Sequence, residues 1–184
     1  MSFGLFKSSE EKAKERFAKE LNDDLITISN IISGQIDMIV FFEKKNKKEI
    51  LRESYTQMYI FGAFDAATVR WGTEIRKKIG RSVIEMGYLP YLTTKFEIPN
   101  SEAQLIFNNV FAIHSKDHTN AAIVAGGADG LEALQSNTLR APRLALHFTP
   151  DADSPSNITE QEMDAFQKYR RQETDNYIKR RNQI

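Results

Sequence analysis

The chain has 184 residues, with 25 Lys and Arg balanced against 25 Asp and Glu, 41% hydrophobic residues and no cysteine. Such a chain fits one compact domain that buries roughly 70% of its unfolded surface, which excludes disordered, collagen-like and disulfide-stapled classes. Lack of cysteine also removes thiolate nucleophiles, iron–sulfur clusters and Cys-ligated zinc, and a cytoplasmic location is the default expectation.

Residues 1–8 hold Phe3, Leu5, Phe6 and the single lysine Lys7, followed by a charged run from Glu10 to Glu20 where a secretory signal needs its apolar core. A flexible terminus over 1–8 is expected. The longest apolar stretch, Leu25 to Phe42, is short for a membrane span and carries Asn30, Gln35 and Asp37, so no transmembrane segment is predicted. Leu21, Leu25, Ile28, Ile32, Ile36 and Ile39 recur at steps of three and four, which predicts an amphipathic helix. After a lysine-rich turn at residues 44–48, Leu51, Tyr55, Met58, Gly62, Asp65 and Val69 form a second stripe. Trp71, Ile75, Ile79, Val83 and Met86 form a third, with Gly72 bending or separating the two.

Gly87 and Pro90 predict the end of that helix, and residues 91–99 read as a connector. Asn100 or Ser101 caps the next helix, which runs through Leu105, Val110 and Phe111, and another follows to about Leu134. Residues 136–157, with three prolines, read as an extended wrap or linker in which Leu144, Leu146 and Phe148 alternate like a strand. Thr159 and Glu162 then make a capping box for a C-terminal docking helix over 158–182, apolar at Met163, Phe166, Tyr169 and Tyr177. The expected fold is all-α: a single domain over 1–184, as an antiparallel bundle of six or seven helices with the Pro-containing segment before the last.

Two helices carry small residues around a carboxylate. Gly62, Ala63, Asp65 and Ala66 match Gly126, Gly127, Asp129 and Gly130 after a shift of 64 residues. Each glycine in a helix sacrifices about 1 kcal/mol relative to Ala, so the pattern predicts either close helix packing or a ligand surface, with Asp65, Gly126, Gly127 and Asp129 as candidate ligand-binding residues. Asp65 falls on the presumed core face and needs a partner such as Arg70 or Arg140, or a bound ligand.

His114, Asp117 and His118 place two imidazoles at i and i+4 with a carboxylate between them, making a candidate metal set. A zinc-hydrolase motif needs Glu where Ser115 stands, and Asp129 lies roughly 16 Å further along any unbroken helix. One basic cluster comprises Arg70, Arg76, Lys77, Lys78 and Arg81; a second spans Lys168 to Arg181. Either cluster could meet phosphate, but in a neutral chain without a nucleic-acid motif both read first as solvated faces, and nucleic acid is not an expected partner. No phosphate-binding or nucleophile-elbow motif is present, and no cofactor is required by the sequence.

These features predict a non-enzymatic binding or regulatory protein acting through protein–protein contacts, including self-association. The alternative is a helical enzyme or small-molecule receptor with a pocket or metal site between the helices carrying Asp65 and Asp129, assisted by His114 or His118.

Overall fold

In the computed structural model, which describes residues 9–139, 142–148 and 159–181, the chain is all-helical, with eight helices packed against one another and no strand among the described residues. In chain order these are α1 (Ser9–Glu43), α2 (Lys47–Arg52), α3 (Ser54–Arg70), α4 (Thr73–Lys95), α5 (Asn100–Lys116), α6 (Ala121–Ser136), α7 (Arg143–Phe148) and α8 (Glu160–Arg181). The expectations for residues 1–8 and for the linker over 149–157 fall outside the described residues.

The stripe from Leu21 to Ile39 is buried along α1, and the charged run before it forms exposed helical turns with Glu10–Lys14 and Arg16–Glu20 pairs at i,i+4 spacing. By length and composition alone α1 is long and apolar enough to cross a membrane, although no transmembrane segment was predicted from the sequence. A buried core helix passes the same test. Here Leu21, Ile28, Ile32 and Ile36 pack into the core, and Asp24, Gln35 and Asp37 are buried with them.

Helix α3 is the axis of the fold and packs on α6, α4, α1, α5 and α2. Every residue from Tyr59 to Thr68 is buried, so the one-sided stripe inferred for this helix gives way to burial on all faces. The expected second helix is in fact two: Asn46 caps α2 through a capping box with Glu49, and Glu53 takes an extended conformation before α3 begins.

Three further expectations are corrected. First, α4 does not stop at Gly87–Pro90 but continues to Lys95 with Pro90 inside it. The amide that Pro90 lacks would have served the Met86 carbonyl, on a side where both residues are exposed to water, while Tyr88, Tyr91 and Leu92 hold the helix to the core. Second, Ile79 and Met86 in α4 and Leu105 in α5 are exposed; of the predicted α4 stripe Val83 is buried, and the rest of the buried face is formed by Ile84, Tyr88, Tyr91 and Leu92. Third, residues 143–148 are helical rather than strand-like, with Leu144, Ala145 and Phe148 buried and Leu146 exposed, a helical pattern of spacing. With α2 and α7 added, the described residues hold eight helices where six or seven were expected.

The Thr159–Glu162 capping box forms at the head of α8. Phe166 is buried against Phe41 and Phe42, Tyr169 rests on Phe41, and Glu173 pairs with Lys47, while Met163 stays exposed. The side chain of Tyr177 lies outside the described residues.

Candidate functional site

Gly72 adopts φ 89° and ψ 164°, a region nearly restricted to glycine, and there the chain reverses from α3 into α4. The reversal returns Arg76 to Asp65. Arg76 Nη2 donates to Asp65 Oδ2 at 2.5 Å, and Thr68 Oγ1 donates to Asp65 Oδ1 at 2.6 Å. The partner of Asp65 is therefore neither Arg70, which pairs with Asp24 beside Trp71 Nε1, nor Arg140, which is outside the described residues.

Asp65 and Arg76 form one end of a groove of about 580 Å³ between α3, α4 and α5. Its polar lining includes Lys77 and Arg81 from α4, His114 near the end of α5, and His118 just beyond it. Ile84 and Phe111 supply apolar wall, and Ser115 lies at the exposed rim. The Arg81 guanidinium lies 4.6 Å from the Phe111 ring centroid and donates to Asn108 Oδ1 at 3.2 Å. The His114 ring sits 5.2 Å from that of Phe61, and its Nδ1 is buried without a hydrogen-bond partner. Burial lowers the His114 pKa below its ordinary value, with His118 and Arg76 acting in the same sense and Asp65 opposing them.

The candidate metal set does not converge. Helix α5 ends at Lys116, so Asp117 and His118 leave the helical face that the i,i+4 reading assumed. The Asp117 carboxylate accepts from the Thr119 amide at 2.9 Å and from its hydroxyl at 2.7 Å, while the His114 and His118 rings lie edge to face with centroids 4.7 Å apart. Among the described residues no three His, Asp or Glu side chains are grouped to hold a metal.

The helices that carry Asp65 and Asp129 meet at close backbone contact through their glycines. A methyl group on Gly62 would lie 2.0 Å from the Ile123 carbonyl oxygen, one on Gly126 1.9 Å from that of Tyr59, and one on Gly130 2.6 Å from that of Ala63. The small residues of α3 and α6 thus serve backbone approach, whereas Gly127 meets the Gly62 carbonyl at an ordinary 3.6 Å.

Asp129 instead lies in a separate polar knot, 1% exposed. It accepts from the Tyr59 hydroxyl, from the Arg143 guanidinium, and from the Arg143 amide at 3.1 Å. Gln35 donates to Tyr59 Oη at 2.6 Å, and its Oε1 accepts from the amides of Leu144 and Ala145 at 2.9 and 3.3 Å. Two side chains from α1 and α6 thereby satisfy the first three amides of α7. Burial and the Asp129 charge push the Tyr59 pKa far up, so its hydroxyl stays a donor.

Sequence reasoning noted Gln35 only as a polar interruption, did not single out Tyr59 or Arg143, and read Arg76, Lys77 and Arg81 first as a solvated face. A polar residue inside an apolar stripe, as Gln35 is, was the available signal for the first; only the reversal at Gly72 explains the second. No protein-family profile matches the chain, and no match to a curated protein or to a solved structure is found.

Proposed function

We propose that this chain is a binding protein on an antiparallel helical scaffold, with the groove between α3, α4 and α5 as its small-ligand site. The observation that carries this reading is the convergence of Asp65, Arg76, Arg81, His114 and His118, from three stretches of sequence, on one cavity of about 580 Å³. Both oxygens of Asp65 are engaged, so the groove has a carboxylate held in one orientation. That favours retention of a ligand over turnover. The first expectation, protein–protein contact, drew on abundant apolar stripes; those of α1 and most of α3 are buried within the chain itself, while Ile79, Met86 and Leu105 remain exposed.

The test is a small-molecule screen read by amide chemical shifts. Shifts are expected to cluster at Thr73, Gly80 and Ser115, and a Ser115→Trp variant, whose indole would fill the groove from an exposed rim position, is expected to abolish them. Shifts confined to other faces, or unaffected by Ser115→Trp, would overturn the assignment.

A further inference from the structure

We propose that the groove selects small organic anions bearing a phosphoryl group, a ligand class that rests on the groove being the binding site. The polar wall is biased in charge: Arg76, Lys77 and Arg81 line it with a single carboxylate, Asp65, and among the described residues the one other carboxylate paired with them, Glu74 on Lys77, is largely exposed and not part of the lining. In a neutral chain this bias is local rather than a consequence of composition.

The geometry separates the roles of the three cations. Arg76 is held by Asp65, so its guanidinium is fixed in direction while part of its charge is offset. Arg81 rests on Phe111 and donates to the neutral amide of Asn108, a hydrogen bond that leaves its charge in place. Lys77 touches Glu74 at 3.5 Å with both side chains largely exposed, a contact that an incoming dianion can displace. Planar guanidinium groups match phosphoryl oxygens in paired hydrogen bonds, and an ammonium adds a point charge. Ile84 and Phe111 give an apolar body somewhere to lie beside the charged end.

His114 supplies a second, independent signature. Its Nδ1 is buried without a partner, and the charged or titratable groups around the ring are Asp65 from α3, Arg76, Lys77 and Arg81 from α4, and His118 beyond α5. A dianion placed among them favours the imidazolium over the neutral ring. Binding is therefore coupled to proton uptake, and affinity rises as the solution is acidified from pH 8 to pH 6.

Titration calorimetry with pyrophosphate and phenyl phosphate at constant ionic strength tests the proposal, with benzyl alcohol and benzylamine as neutral and cationic comparators. Saturable binding of the phosphoryl probes is expected, weakened about tenfold in Arg81→Gln and lost in Ser115→Trp at unchanged melting temperature. Proton uptake, measured in buffers of different ionisation enthalpy, is expected to fall in His114→Asn; comparing the two proteins cancels the probe's own titration. If benzyl alcohol or benzylamine binds in the groove and the phosphoryl probes do not, the ligand class is wrong while the site stands. If phosphoryl binding survives Ser115→Trp, both the class and the site are overturned, and absence of binding by either phosphoryl probe overturns the class.

Discussion

Lys95 Nζ lies 2.5 Å from Asp37 Oδ1, and each side chain is only 3% exposed. This ion pair joins α1 to the last turn of α4, the turn that exists because the helix runs on past Pro90. Burial works against both charges, raising the Asp37 pKa and lowering that of Lys95, while their mutual attraction opposes each shift. Removing one partner strands the other: Lys95→Met or Asp37→Asn is expected to cost about 3–5 kcal/mol, and the double variant less than the sum of the two. Urea denaturation of the four proteins measures this, and additive costs would show that the two side chains are not coupled.

The crossing of α3 and α6 makes a sharper prediction than glycine content does. At Gly126 an added methyl group meets backbone that cannot turn aside, so Gly126→Ala is expected to destabilise the fold by about 1–3 kcal/mol or more. Gly127→Ala meets only an ordinary contact and gains helix propensity, so stability is expected to stay level or rise by up to about 1 kcal/mol. Thermal melts should therefore fall for Gly126→Ala and not for Gly127→Ala, and equal losses would remove the close-approach account.

Gln35 ties α7 to the body of the molecule through the Leu144 and Ala145 amides. Gln35→Leu keeps much of the side-chain volume but takes an acceptor from the Leu144 amide and a donor from the Tyr59 hydroxyl, at a cost of about 1–3 kcal/mol for a buried polar group left unpaired. Amide hydrogen exchange at Leu144 and Ala145 is expected to accelerate well beyond exchange in α3. Uniform acceleration throughout the chain would mean that α7 is not a separately latched element.

The depressed pKa of His114 sets the sign of a pH effect on stability. The fold prefers the neutral ring, so this contribution is fully present above the unfolded value near 6.5 and is lost as pH falls through that value toward the lower folded one. Between pH 7.5 and pH 5.5 the parent is expected to lose more unfolding free energy than His114→Asn. Parallel pH profiles for the two proteins would show that burial of the ring does not penalise its charge.

Helical class, the α1 stripe and the capping box of α8 were legible from spacing alone, because a 3.6-residue period and a Thr–Glu pair act within a few residues of chain. Asp65 could be recognised as needing a partner for the same reason: its apolar neighbours announced burial. Which cation answers it could not be read, because Arg76 reaches Asp65 only after the chain reverses at Gly72. The continuation of α4 past Pro90 was equally hidden, since it depends on Tyr88, Tyr91 and Leu92 being held by other helices while the proline faces water. Local periodicity determines where a helix can form and which residues can share a face. Whether small residues make a pocket or a backbone crossing, and which charges meet, is decided by contacts between segments far apart in sequence, whose energies no local pattern contains.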